Sequence, residues 1–329
     1  MDFLLLAASL ALLLTAANYF VEGISAIAES LGVPKLVIGM TVVAFGTSTP
    51  ELVINTMSAA QGSTDLAFGN IVGACLVNVG VVLAVTAMMA PLRVESSLIT
   101  RELPMLTVAV VAIVVLGSDQ FLDGAAGSLW TRTDGLMLLL LFGIFLYYTT
   151  MGAIGAPRSD AFLTDVREEA ARTTPRPLWV QLAYTLGGLA GVSFGADWTV
   201  DFAVQIARGM GVSEAVIGLT IISVGTTLPE LATCILAARR GDADLALGNI
   251  VGSNLFNLLC IGGMVSVIRP IPIPAAGQVD LIVMAFLSIV LLPLALRGRH
   301  VISRMEGAFL LVVYLGFLAW RLEEAARAH

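Results

Sequence analysis

Histidine occurs only twice in the 329 residues, as His300 and His329, and both lie outside the apolar segments. An imidazole metal site or a buried histidine proton relay is therefore not expected. Cysteine is nearly as scarce: Cys75, Cys234 and Cys260 are scattered, odd in number and without Cys-x-x-Cys spacing. They imply neither a disulfide framework nor a zinc site and read as small packing residues. Charge is the third shortage. Asp, Glu, Lys and Arg make up 12% of the chain against 58% hydrophobic residues, and the mean hydropathy is +0.94. A soluble domain needs more charge than that; a polytopic α-helical membrane protein does not. No His-Glu-x-x-His motif, nucleophile–base pair or Gly-rich cofactor loop is present. The chain is thus not expected to be an enzyme, to hold a cofactor or to bind nucleic acid, and its formal net charge of −7 matters less than where the charges sit.

What is abundant is apolar sequence in lengths that cross a bilayer. Such segments fall near 2–30, 34–61, 65–90, 98–117 and 133–152, then near 178–209, 213–240, 244–268, 276–297 and 301–321. The first could pass for a signal peptide, but only Asp2 precedes it, and it is read as a span. The expected fold is an all-α membrane protein of ten helices: a five-helix repeat over 1–152, a polar linker over 153–177, and a second five-helix repeat over 178–329. Placing the N-terminus outside puts twelve Lys and Arg residues on the cytoplasmic side and five on the other. The positive-inside bias then favours both termini outside and a cytoplasmic linker. That linker balances four arginines against Asp160, Asp165, Glu168 and Glu169 and lacks the spaced acids of a calcium loop.

The two halves say the same thing. GMTVVAFGTSTPEL and DLAFGNIVGACLVN, within 39–78, return as GLTIISVGTTLPEL and DLALGNIVGSNLFN within 218–257, at a constant offset of 179 and without a gap. Beyond this core, Pro91 matches Pro270 and Glu22 matches Asp201, so the duplicated unit is the whole half. An odd number of spans per unit turns the second copy upside down, which makes the repeat inverted.

GTSTPE (46–51) and GTTLPE (225–230) are helix breakers carrying a charge. Pro50 and Pro229 each remove an amide donor and crowd the carbonyl four residues back, that of Gly46 or Gly225. Carbonyls freed in this way survive at membrane depth only where they line a polar cavity. Thr47, Ser48, Thr226 and Thr227 put hydroxyls at the two breaks, and Glu51 and Glu230 add carboxylates. This is a hard-oxygen donor set, suited to Ca²⁺, Mg²⁺ or alkali ions. Two glutamates carry −2, which one Ca²⁺ or two Na⁺ would neutralise; an empty pair would repel itself. Downstream, Gly69/Gly73 and Gly248/Gly252 have the small-xxx-small spacing of close helix contacts. Asn78 and Asn257 can offer amide oxygens, and Ser253 has a hydroxyl where its counterpart is Ala74.

Plainer readings apply to several of these residues. One membrane proline is commonly a structural kink, and Ser or Thr often bonds the turn before it. Asn70 and Asn249 read as structural, whereas Asn78 and Asn257 serve either as interhelical glue or as ion ligands. Glu22 and Asp201 either line a water-filled access path, the favoured reading, or mark a polar helix face. The two glutamates are different, because an ionisable residue at mid-span is functional by default.

On these motifs, G-T-S-x-P-E and G-N-x-x-G-S-N in two copies, the chain resembles the compact prokaryotic form of the sodium/calcium exchanger family of cation/Ca²⁺ antiporters. The resemblance implies ion sites between the second, third, seventh and eighth spans, with the first and sixth sliding across that core. It implies Glu51 and Glu230 as main ligands, oxygens from Thr47, Ser48, Thr226 and Thr227, the backbone carbonyls of Ala44 and Ser223 for Na⁺, and Asn78, Asn257 and Ser253 completing the site. Two departures stand out: Ala74 where serine is frequent, and Asn257 where potassium-dependent members have aspartate. The expected function is Na⁺/Ca²⁺ antiport by alternating access in a prokaryotic cell (inner) membrane. Its partners are Ca²⁺, Na⁺ and membrane lipid, with no obligate protein partner. The alternatives are an H⁺/Ca²⁺ antiporter and a cation channel.

Overall fold

The structure is a computed structural model, and it describes residues 2–62, 64–122, 124–155, 177–210, 223–274, 276–297 and 300–327. Helix α1 (Asp2–Leu31) leads to α2 (Lys35–Thr47) and α3 (Thr49–Gln61), which meet at a 49° bend. Helix α4 begins as Thr64–Val77 and runs through a π-helical stretch, Asn78–Leu83, into Ala84–Met89. Strand β1 (Leu92–Arg93), α5 (Leu98–Leu116), α6 (Asp119–Leu122), β2 (Leu129–Trp130) and α7 (Arg132–Gly155) follow.

The second half begins with α8 (Leu178–Gly209). A short α9 (Ser223–Gly225) and α10 (Leu228–Arg239) come next. Helix α11 is Ala243–Leu255 continued by a π-helical stretch, Phe256–Ile261, and by Gly262–Ile268. The chain then forms β3 (Ile271–Pro272), α12 (Gly277–Leu296), β4 (Val301–Ile302) and α13 (Arg304–Arg327).

Among the described residues seven helices are long and apolar enough to cross a membrane, and the bent α2–α3 pair makes an eighth. Helix α8, whose 32 residues extend about 48 Å, and the α9–α10 break stand where the sixth and seventh of the ten expected spans fall, but neither is among the helices that meet this length and hydropathy test. The first limb of that seventh span, and the linker, lie outside the described residues. The segments α4 and α11 form the centre: 78% and 89% of their most apolar windows are buried in protein, against 17% for α13 and 22% for α7. Peripheral helices therefore keep their apolar surface for lipid.

The inversion is visible in which residues meet. Down α1, Leu13, Ala16, Phe20 and Gly23 face Gly195, Gly191, Gly188 and Thr185 of α8, in descending order. The first spans of the two halves are thus antiparallel neighbours. The strands agree. β1 follows the third span of the first half and pairs with β4, which precedes the fifth span of the second half; β3 and β2 make the reciprocal pair. Leu92 faces Ile302 as Ile271 faces Trp130. The far end of a third span can meet the near end of the other half's fifth span only if the halves run oppositely.

Lipid supplies no hydrophobic drive between helices, so packing rests on close approach. A Cβ on Gly252 would lie 2.5 Å from the Met40 Cα, one on Gly248 2.5 Å from the Leu36 carbonyl, and one on Gly39 2.7 Å from the Leu245 carbonyl. These three glycines seat α2 against α11. The counterparts Gly69 and Gly73 meet nothing within 4 Å among the described residues. Their symmetry-related neighbour, Gly218, lies outside them. Gly252→Val is expected to push α2 off α11 and cost about 1–3 kcal/mol. The measurement is thermal unfolding of detergent-solubilised protein, and an unchanged midpoint would rule out the close contact.

Candidate cation site

Both predicted breaks form, at matching positions. Ser48 (φ −89°, ψ 10°) and Thr227 (φ −96°, ψ 7°) each leave helical geometry, and the next helix starts with Pro50 or Pro229 in its first turn. Proline fits there because a first-turn amide has no intrahelical acceptor. Glu51 and Glu230 fall in those same first turns. Each carboxylate therefore sits at the positive end of a helix dipole. The sixth-span helix α8 covers both breaks. A Cβ on Gly46 would meet Leu189 at 3.0 Å, and one on Gly225 would collide with Val200.

The carboxylates are inside the protein, with Glu51 at 2% and Glu230 at 1% exposure. The Ser48 hydroxyl donates to Glu230 Oε1 at 3.0 Å, joining the first motif to the second. Its counterpart Thr227 does not reciprocate and donates to the Val224 carbonyl at 2.9 Å. Both oxygens of Glu51, Glu230 Oε2, Asn78 Oδ1 and Asn257 Oδ1 are buried and receive no hydrogen bond. Buried acceptors are normally paired, and leaving one unpaired costs about 1–3 kcal/mol, more for a charged group. Five such oxygens, drawn from both halves and from residues predicted as ligands, are what a dehydrated hard cation requires.

The other predicted ligands are placed as follows. Thr47, Ser48, Ser253 and Thr227 are buried, and Thr226 is half-buried without a side-chain hydrogen bond among the described residues. The Ala44 carbonyl accepts the Ser48 amide at 3.0 Å and also faces the Thr47 hydroxyl at 3.4 Å, whose shorter bond goes to the Val43 carbonyl at 3.1 Å. Ser223 opens α9, but its side chain lies outside what the structure describes. Asn78 and Asn257 both lie in the π-helical stretches of α4 and α11, where the widened turn redirects the side chains that follow.

Two residues were missed by the sequence reading. Asn254, fully buried, accepts at Oδ1 from Asn78 Nδ2 at 3.0 Å. Asn55 donates to the Glu51 carbonyl and to Asn70 Oδ1, both at 2.7 Å. The asparagine of Gly-Ser-Asn is the sequence signal for Asn254, but its counterpart is Cys75, so the repeat does not single it out.

Glu22 has a partner in the second half: its carboxylate meets Arg240 at 3.3 Å, and Arg240 also donates to Asn18 Oδ1 at 2.6 Å. Further along α1, Ser25 donates to Asp242 at 3.0 Å, while Lys35 bridges Glu29 at 3.0 Å and Asp242 at 2.6 Å. Residues 18, 22, 25 and 29 share one helical face, so the cluster fastens one end of α1 to the α10–α11 turn. Asp201 is exposed and makes no hydrogen bond or ion pair among the described residues.

The family model for the sodium/calcium exchanger protein matches residues 1–151 and 180–323. The chain belongs to the sodium/calcium exchanger family. Inner membrane protein YrbG of Escherichia coli is 35% identical over 328 residues, covering 96% of each chain. Sodium/calcium exchanger MaX1 of Methanosarcina acetivorans is 30% identical over 344 residues, covering 96% of this chain and 97% of its own. The solved structure of the sodium-calcium exchanger NCX_Mj soaked with zero Na⁺ and Ca²⁺ superposes with a TM-score of 0.81 at 29% identity, covering 97% of this chain and 98% of that one. A second structure of that exchanger, soaked with 2.5 mM Na⁺ and 1 mM Sr²⁺, gives the same score. The resemblance read from the two motifs and the inverted-repeat membrane fold are thereby shown.

Glu51→Gln and Glu230→Gln, which keep the volume and remove the charge, are each expected to abolish Ca²⁺ transport in reconstituted vesicles. Elution of the purified variants should stay monodisperse. Normal transport by either variant refutes the assignment.

Proposed function

We propose that the protein is a secondary active antiporter in which Na⁺ and Ca²⁺ compete for the Glu51/Glu230 site, and that it extrudes Ca²⁺ on the inward Na⁺ gradient. The observation that carries this reading is the set of five unpaired, buried acceptor oxygens contributed by both halves. Two carboxylates without a Lys or Arg partner among the described residues are compensated by one Ca²⁺ or by two Na⁺. Either load makes the switch between outward-open and inward-open states easier than an empty crossing, which is how an exchanger differs from a leak. Family membership supports the choice of ions, as does the soaking of the related NCX_Mj with Na⁺ and Sr²⁺. Asn257, a neutral amide, argues against K⁺ co-transport.

The orientation that follows from the arginine bias puts both termini outside a prokaryotic cell membrane and the linker in the cytoplasm. The protein performs no covalent chemistry and needs no cofactor or obligate protein partner; lipid is its solvent.

The test is transport by the purified protein in sealed vesicles loaded with Na⁺, diluted into Na⁺-free buffer containing tracer Ca²⁺, with and without a pH gradient. Uptake should follow the Na⁺ gradient alone. Uptake driven only by pH would establish the H⁺/Ca²⁺ antiporter instead, and poorly saturating passive flux would indicate a channel.

A further inference from the structure

Helices α12 and α13 are neighbours in the chain but lean on different parts of the core. Gly307 seats α13 on α4, where an added Cβ would lie 2.6 Å from the Ala84 carbonyl, and Gly80 of α4 receives Tyr314 at 2.5 Å. Helix α12 packs mainly on α5. The two leave between them a cleft of about 620 Å³, lined by Val290, Pro293 and Leu294 of α12 and by Met305 and Phe309 of α13. That volume is in the range of sites that hold an organic ligand. Its walls belong to two spans, so the medium that meets them is lipid.

One end of the cleft is charged. Arg297, the residue after Leu296 ends α12, lines it, and Arg304 opens α13 one residue before Met305. Both arginines are exposed, and neither side chain makes a hydrogen bond or ion pair among the described residues. Between Asp280 and Glu306 the chain carries Arg297, Arg299 and Arg304 and no acid. Arg93 adds a further cation, opposite Val301 in the β1–β4 pair. The acids nearest in sequence are engaged by neutral donors: Glu306 Oε2, also at the cleft, accepts the Ser303 amide at 2.7 Å and hydroxyl at 2.8 Å, and Glu95 accepts from Ser97 at 3.0 Å. Four arginines against two acids leave this corner positive.

We propose that the α12–α13 cleft binds an anionic phospholipid, with an acyl chain against Val290, Pro293 and Phe309 and the phosphate held by Arg297 and Arg304. A guanidinium presents a planar fork that matches phosphate oxygens. A lipid whose headgroup also carries an ammonium would bring a like charge to the same corner. The positive-inside bias by itself asks only for arginines in this loop, not for an apolar cleft that one of them lines. The inverted fold does not require the feature either. In the first half, the connection 117–131 between α5 and α7 carries Asp119 and Asp123 and no basic residue, and Arg132 donates to the Ile268 carbonyl at 3.5 Å. The basic corner therefore serves one leaflet, the cytoplasmic one in the orientation proposed above.

The test follows thermal unfolding of the purified protein, stripped of lipid in nonionic detergent, as phosphatidylglycerol or phosphatidylcholine of the same acyl chains is added back. Phosphatidylglycerol should raise the midpoint, whereas phosphatidylcholine and inorganic phosphate should not. Arg297→Gln and Arg304→Gln are each expected to raise the half-saturating phosphatidylglycerol concentration about fivefold, the attraction of one arginine to an anionic leaflet. Arg132→Gln, in the other half's corner, should leave it unchanged. Val290→Trp fills the apolar part and should weaken binding with both arginines in place. Equal stabilisation by the two lipids, or by inorganic phosphate, would overturn the proposal, as would wild-type binding by the arginine variants or by Val290→Trp. A dimer in detergent that Val290→Trp dissociates would overturn it too, by giving the cleft to a second copy of the chain.

Discussion

The contact between Ser48 and Glu230, 182 residues apart, joins the two motifs and ties a second buried carboxylate to the break that carries Glu51. Burying a carboxylate costs several kcal/mol even after the protein relaxes, and among the described residues no arginine or lysine reaches Glu51 or Glu230. The arrangement is tolerable because of what surrounds it. Each acid lies at a helix N-terminus created by its own proline, and the surrounding amides and hydroxyls come from helices locked together by glycine. The central α4 and α11 are consequently the most buried segments, and the two breaks lie beside them under α8. Rigidity at the centre is what allows oxygens to remain unpaired without the site collapsing on itself.

Around this centre the binding forces change character. Helices α1 and α8 are fastened to each other through glycine contacts, with Gly188 against the Phe20 backbone and Gly195 against that of Leu13. One end of α1 is fastened to the α10–α11 turn by ion pairs instead, through Glu22–Arg240 and through Lys35, the chain's single lysine. Glycine packing cannot be loosened a little, because the backbones are already in contact. Partly exposed ion pairs can be exchanged for water at small cost. The glycine contact of α1 with α8 is therefore the more rigid of these two attachments, and the apolar side chains of Phe20, Val21 and Ile24 add a third against the core.

Much of this was legible in the sequence, for physical reasons. The breaks are local events: proline and glycine act on their own helix, so G-T-x-x-P-E fixed their position without tertiary information. The repeat gave the inversion through the parity of its spans. What escaped depends on partners that no local pattern names. Glu22 shows in the sequence as an acid in an apolar span, and only the folded chain supplies Arg240, 218 residues later. The partners of Asn249 likewise appear only in the folded chain, with Thr233 and Cys234 at the amide nitrogen and Thr47 at the oxygen. Symmetry itself misled at Asn254, where the copy carries cysteine. The departures from perfect duplication turned out to be informative: Ser48 bonds across the halves and Thr227 does not.

The exchanged strands carry a consequence for how such a molecule can arise. The short strand after the third span of each half is completed by residues before the fifth span of the other, so neither half closes its own corners. Translated alone, one half would present open strand edges and a motif without its opposite number. A second copy inserted upside down would satisfy both. The geometry is that of an antiparallel pair held in a single chain, in which tethering leaves the two copies free to differ in chemistry while remaining bound to one shape.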